Sequence, residues 1–129
     1  MDPSILLLAE DEPLIALTLE DALEEAGFAV LHVKTAEDAI QAIDSRTSEL
    51  SGVITDIKFG TRIDGWAIAR HARELVPHIP IVYMSGDSAH DHTAQGVPDS
   101  IMIQKPFAAA QLITAVSTLL NALPPSQPT

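Results

Sequence analysis

The chain has 129 residues, no cysteine and a formal net charge of −11, from seven basic and eighteen acidic side chains. This length suits one compact domain of about 100–150 residues, and the absence of cysteine excludes disulfides and thiolate metal sites. The acidic balance argues against nucleic-acid binding, because proteins that bind nucleic acid neutralise its phosphates with lysine and arginine.

The sequence shows no sign of membrane insertion or export. No apolar run approaches the roughly 20 residues of a membrane span, and the segment Met1–Ser4 lacks the basic region of a signal peptide. We therefore expect a cytoplasmic protein that does not associate with membranes.

The first half of the chain alternates strand and helix patterns. Ile5 to Ala9 is apolar without alternation, which is typical of a strand covered on both faces in a parallel sheet. A first helix is predicted from Pro13 to Ala26 and a second strand from Phe28 to Val33. Thr35 is expected to cap a second helix, which gives way to a loop over Asp44–Leu50.

The next apolar run ends on a carboxylate. Val53–Thr55 is bounded by Gly52 and Gly60 and runs directly into Asp56. This pattern predicts a short buried strand with an acidic residue at the edge of the sheet. An isolated aspartate in such a place would be an ordinary loop acid. Three other apolar runs also end on polar residues, which favours a functional site where the strand ends converge.

The second half continues the alternation. After a turn at Asp64–Gly65, the patterns predict a third helix, a fourth strand, a fifth strand and a last helix at Trp66–Leu75, Ile81–Met84, Ser100–Gln104 and Ala108–Leu123. The intervening Ser85–Pro98 is polar, so any fourth helix should be short. We expect one domain over residues 1–123 and a disordered tail over residues 124–129.

Five strand–helix pairs of this kind predict an α/β fold. The economical choice is a flavodoxin-like, doubly wound, five-stranded parallel sheet of order 2-1-3-4-5 with helices on both faces. Strands one and three are then neighbours at the switch point where sites form, and Asp11 and Asp56 face each other there.

This topology brings three carboxylates together. Glu10, Asp11 and Asp56 would repel one another unless a cation intervenes, and oxygen-only ligands suit Mg²⁺. Lys105 would add a positive charge across the site and Ser85 a hydroxyl donor. An acceptor oxygen, a metal and fixed donors are the parts that phosphoryl transfer needs.

At these residues the chain resembles the receiver domain of two-component response regulators, over roughly residues 4 to 123. The matching segments, in order, are Leu8–Pro13, Val53–Asp56, Asp64–Gly65, Tyr83–Ser85 and Lys105–Phe107. Any one of them is a weak signal, but five in order at suitable separations are a strong one.

The resemblance implies a phosphoacceptor and a metal site. Asp56 would take a phosphoryl group from the phosphohistidine of a histidine kinase or phosphotransfer protein. Asp11 and Asp56 would bind Mg²⁺ directly, with Glu10 acting through water and the backbone carbonyl of Lys58 completing the protein ligands.

The resemblance also implies how the phosphoryl group is held and used. Ser85 and Lys105 would contact its oxygens, and the Lys105–Pro106 bond is expected to be cis. The chemistry would be limited to self-phosphorylation and autophosphatase activity, so the protein is not classed as an enzyme. A single-domain receiver would signal through a downstream protein target, as a monomer or weak dimer.

Two departures from the family pattern place the chain in an atypical subgroup. Phe59–Gly60 stands where many receivers have Met-Pro, with about one extra residue before Asp64–Gly65. Met102 stands where many have an aromatic switch residue. We therefore expect phosphorylation to order or shift the segment Gly86–Val97 directly.

Two other functions, and one further candidate site, are alternatives to the phosphoacceptor prediction. A pseudo-receiver that binds a protein without being phosphorylated would fit the altered loop and Met102, although the complete acidic pocket opposes it. An unrelated doubly wound enzyme is disfavoured, because no glycine-rich phosphate loop follows the first strand. His90-Asp91-His92, with Asp87 nearby, could bind a transition metal, but an alternating pair in a polar loop is more often solvated.

Overall fold

The computed structural model describes residues 5–58, 62–86 and 91–122. Its strands are β1 (Ile5–Ala9), β2 (Ala29–Val33), β3 (Leu50–Asp56), β4 (Ile81–Ser85) and β5 (Ile101–Gln104). Its helices are α1 (Pro13–Glu25), α2 (Ala36–Ser45), α3 (Gly65–Leu75), α4 (His92–Gln95) and α5 (Ala109–Asn121). Among the described residues, no helix has the length and apolar character needed to cross a membrane.

The five strands form one parallel sheet of order β2-β1-β3-β4-β5, which confirms the predicted topology. Side chains of β1 show how helices cover both faces, since successive strand residues point to opposite sides. Leu7 and Ala9 belong to a core layer with residues of α2 and α3, whereas Leu6 and Leu8 belong to a second layer with residues of α1 and α5.

The helix starts follow from local capping. The Thr35 hydroxyl accepts a hydrogen bond of 3.0 Å from the Asp38 N–H, which confirms it as the cap of α2. Asp64 caps α3 in the same way, since its Oδ1 accepts from the Ala67 N–H at 2.9 Å. Gly65, expected in the turn, is therefore the first residue of the helix.

The loop predicted over Asp44–Leu50 is wrong. Helix α2 continues to Ser45, a 3₁₀ turn covers Thr47–Glu49, and β3 already begins at Leu50. The segment is polar, but it is helical rather than irregular. The Thr47 hydroxyl donates to the carbonyl of Ile43 in the last turn of α2, which keeps the backbone helical.

Helix α4 has only four residues, as the polar composition of this segment predicts. Side chains from neighbouring elements hold the chain that follows it. The Tyr83 hydroxyl accepts from the Val97 N–H at 3.1 Å, and Arg73 Nη1 donates to the Pro98 carbonyl at 2.5 Å. The predicted disordered tail lies outside the described residues.

Candidate functional site

The carboxyl ends of the strands bring the predicted acidic residues together. Glu10 and Asp11 follow β1 directly, and Asp56 is the last residue of β3. One carboxylate oxygen from each of the three lies within 4.8 Å of the others. The switch point between β1 and β3 therefore carries the acidic cluster that the topology predicts.

Lys105 enters the same cluster from the end of β5. Its Nζ donates to Asp56 Oδ2 at 3.0 Å and to Glu10 Oε1 at 3.3 Å. Its backbone N–H donates to the Ser85 carbonyl at 2.7 Å, which ties the end of β5 to that of β4. The Lys105–Pro106 peptide bond is cis, as expected.

The cluster opens into a pocket of about 560 Å³. The lining residues are Asp11, Glu12, Ile15, Asp56, Lys58, Ser85, Gly86 and Lys105. Ser85 and Lys58 thus lie at the pocket predicted for them, although their individual roles stay predictions. Glu10 stands behind the pocket wall, because its side chain is fully buried.

Burial raises the pKa values of two carboxyl groups of the cluster, those of Glu10 and Asp56. It raises the pKa of Glu10 to about 7, against the smaller opposing effect of a 3.1 Å hydrogen bond from the Glu12 N–H. Burial also raises the pKa of Asp56, while the hydrogen bond and charge of Lys105 hold it lower. The pocket therefore holds carboxyl groups whose charge one lysine does not fully balance.

Burial and the neighbouring carboxylates shift the pKa of Lys105 in opposite directions. Burial lowers the pKa of its ammonium group, but the hydrogen bond with Asp56 and the nearby carboxylate charges outweigh that effect. Its pKa therefore lies above the ordinary value, and Lys105 is a fixed cation at physiological pH.

We expect these shifts to make the metal-free protein lose stability as pH rises. The folded state holds the Glu10 proton up to about pH 7, whereas the unfolded chain releases it near 4.5. Stability from this group is therefore complete below about pH 4.5 and lost as pH rises through 7, by about 1–3 kcal/mol. Urea unfolding of the wild type and Glu10→Gln in EDTA, from pH 5.5 to 8, measures it.

The variant removes the titration of this carboxyl and leaves the groups that do not contact it unchanged. Glu10→Gln should gain stability relative to the wild type as pH increases, because its amide does not ionise. Parallel pH dependences for the two proteins would contradict the assignment.

Gly65 and His32, which the sequence did not assign to the site, lie against the backbone of its acidic residues. A Cβ added at Gly65 would lie 2.1 Å from the carbonyl oxygen of Asp56, so α3 begins against the backbone of the phosphoacceptor candidate. His32 lies on β2, with its Nε2 2.7 Å from the backbone oxygen of Glu10. No local sequence signal marks either contact, since both join residues of different elements.

The other predicted features contribute less to the site. His92 Nε2 lies 2.8 Å from the Ser100 hydroxyl oxygen, within hydrogen-bond distance. His90 and Asp87 lie outside the described residues. Phe59–Gly60, the altered part of the loop, lies outside them too. Met102 is half-buried on β5 and packs against the core layer that contains Tyr83.

Comparison with known proteins identifies the class. The family model described as the response regulator receiver domain matches residues 6–117. The crystal structure of a response regulator receiver protein from Sinorhizobium medicae WSM419 is 49% identical, with a TM-score of 0.89, and the match covers 94% of this chain and 97% of that one. The chain therefore belongs to the response regulator receiver domain family.

Curated relatives differ in how much of their length the chain spans. The response regulator receiver protein CpdR of Brucella abortus is 29% identical over 119 residues, which is 91% of this chain and 97% of CpdR. Sensor kinase CckA of the same organism is 28% identical over 118 residues, but the chain spans only 12% of its length. Receiver domains thus occur among these relatives both nearly alone and within much longer proteins.

Proposed function

We propose that this receiver domain accepts a phosphoryl group on Asp56 from the phosphohistidine of a histidine kinase or phosphotransfer protein, with Mg²⁺, and signals through a partner protein. The observation that carries the proposal is the position of Asp56, at the floor of an open pocket, 3.0 Å from Lys105 and beside two further carboxylates. A protein with this chemistry is a phosphoacceptor rather than an enzyme acting on a separate substrate.

The donor set fits Mg²⁺. Three carboxylates supply hard oxygen ligands, and the open pocket leaves room for the waters that Mg²⁺ retains. Asp11 and Asp56 would hold the ion directly and the Lys58 carbonyl would complete the protein ligands. Both oxygens of Glu10 already accept hydrogen bonds, from the Glu12 N–H and Lys105 Nζ, which suits a role through water. When bound, Mg²⁺ neutralises charge on the phosphoryl oxygens.

The residues of the chain account for the transfer itself. A carboxylate oxygen of Asp56 attacks phosphorus, the phosphorus–nitrogen bond of phosphohistidine breaks, and its electron pair returns to the donor imidazole. Lys105 holds a positive charge beside the incoming oxygens, and Ser85 lines the same pocket. Attack by water on the acyl phosphate then restores Asp56 and releases phosphate.

An apolar groove beside the pocket supports a protein as the phosphodonor. It is lined by Leu14, Ile15, Thr18, Leu19, Lys105, Pro106 and Phe107, and so shares Ile15 and Lys105 with the pocket. Leu14 is 80% exposed and Leu17 is 55% exposed on the same helix. A protein that covers this groove would bury Leu14 and place a phosphorylated side chain over Asp56.

The direct test is phosphorylation in vitro. Incubation with Mg²⁺ and a small acyl-phosphate donor should add one phosphoryl group, detected by intact mass and located by peptide mapping on the peptide that contains Asp56. EDTA should suppress the adduct. Failure to form an adduct, with a small donor or with a histidine kinase, would favour a pseudo-receiver that binds partners without being phosphorylated.

Lys105→Met should slow phosphorylation by the small donor by about 10²–10³-fold, the usual cost of removing one fixed donor from a transition state. The same change removes the cation that holds the pKa of Asp56 down, so the acceptor should also be less ionised. The rate of adduct formation by mass spectrometry measures the effect. Lys105→Arg, which keeps the charge but changes its shape, should lie between the two; an unaltered rate in Lys105→Met would contradict the assigned role.

A further inference from the structure

The only imidazole that the described residues bring against the acidic cluster is that of His32 on β2, a half-buried side chain opposite Leu8 of β1. Its Nε2 lies 2.7 Å from the backbone oxygen of Glu10. A carbonyl oxygen can only accept, so His32 Nε2 carries the hydrogen and donates it. The contact joins two residues 22 positions apart in the chain.

With this contact every polar group of Glu10 has a hydrogen-bond partner. Its N–H donates to the Val33 carbonyl at 3.2 Å, its Oε2 accepts from the Glu12 N–H, and its Oε1 accepts from Lys105 Nζ. With His32 on its carbonyl oxygen, all four polar groups of Glu10 are engaged. The buried residue behind the pocket therefore has one orientation.

The same contact sets the position of Asp11. The Glu10 carbonyl and the Asp11 N–H belong to one peptide unit, whose atoms from Cα to Cα lie in a plane. A hydrogen bond that fixes the carbonyl direction therefore fixes the plane from which the Asp11 side chain departs. Asp11 is itself exposed, so its backbone is the part that the fold can hold in place.

We propose that His32 is a positioning residue for the metal-binding carboxylates: its donated hydrogen bond orients the Glu10–Asp11 peptide so that Asp11 reaches the ion directly and Glu10 through water. The inference rests on the proposed function, because it takes Mg²⁺ as the ion of this pocket. His32 touches no reacting atom, and its effect passes through the main chain of its neighbours.

Calorimetric titration of MgCl₂ into the unphosphorylated protein tests the inference without any phosphodonor. His32→Leu, which removes the donor, should weaken Mg²⁺ binding by about 10-fold or more, the usual effect of losing an outer-shell partner. His32→Gln, whose side-chain amide N–H can reach the same carbonyl, should restore most of the affinity.

Val30→Ala is the matched control. Val30 lies on the same strand and packs against the core layer of Leu6 and Leu8, but it is paired with Leu6, four residues before Glu10. Val30→Ala should lower the free energy of unfolding in urea and leave the Mg²⁺ affinity unchanged. Equal Mg²⁺ affinity in His32→Leu and the wild type would overturn the positioning role, as would an equal loss of affinity in Val30→Ala. A wild-type protein that takes up no Mg²⁺ would overturn the proposed function itself.

Discussion

Asp56→Asn should give a folded protein that takes up no phosphoryl group. The amide has nearly the same shape as the carboxylate but is not a nucleophile toward phosphorus, so the acyl phosphate cannot form. Because burial raises the pKa of Asp56, the ionised side chain costs stability at neutral pH, and a neutral amide removes that cost. The free energy of unfolding should therefore hold or increase while phosphorylation disappears.

The measurement combines intact mass after incubation with Mg²⁺ and a small acyl phosphate with urea unfolding of the same sample. Asp44→Asn is a suitable control, because it makes the same chemical change at an exposed residue that pairs with His71, away from the pocket. That variant should be phosphorylated like the wild type. An adduct that forms on Asp56→Asn at the wild-type rate would mean that another side chain is the acceptor.

Gly65→Ala should damage both stability and phosphorylation. The added Cβ would lie 2.1 Å from the Asp56 carbonyl oxygen and 2.9 Å from the Ile57 Cα, closer than side-chain carbons are normally found. Both neighbours are backbone atoms, so either the start of α3 or the end of β3 must move. We expect the free energy of unfolding to fall by about 1–3 kcal/mol or more, as for other overpacked sites.

The functional effect follows from the same displacement. The Gly65 N–H donates to the Ile57 carbonyl at 2.8 Å, so a shift of α3 breaks a bond that holds the residue next to the acceptor. Urea unfolding and the phosphorylation rate measure the two effects. For stability the control is Gly86→Ala, where an added Cβ meets nothing within 4 Å. If Gly65→Ala unfolds like the wild type, the close approach of α3 to Asp56 is wrong.

Much of the site could be predicted because of where its residues stand in the chain. Asp11, Asp56 and Lys105 each follow or end an apolar run, and parallel strands bring such ends to one edge of the sheet. Neither the strand order nor the acidic cluster needs knowledge of a single side-chain contact.

The parts that escaped prediction depend on contacts between elements. Nothing in the acidic run after β1 indicates that Glu10 is the buried residue and Asp11 the exposed one, because the register of β1 against its neighbours decides this. Glycine at position 65 is typical of a turn. Only the approach of α3 to β3 shows that a side chain there would clash. His32 is one polar residue in an apolar strand, and its purpose appears only when β2 is paired with β1.

The pocket residues are synthesised at widely separated times, because they lie far apart in the chain. Glu10, Asp11 and Asp56 emerge early, whereas Lys105 follows β5, which is one of the two edge strands and the last of the five in chain order. Until that strand docks, the carboxylates stand without their lysine, and their mutual repulsion favours its arrival. A chain in which β5 has not yet docked would therefore lack the complete pocket, because its three carboxylates come from the ends of β1 and β3 and its lysine from the opposite end of the sequence.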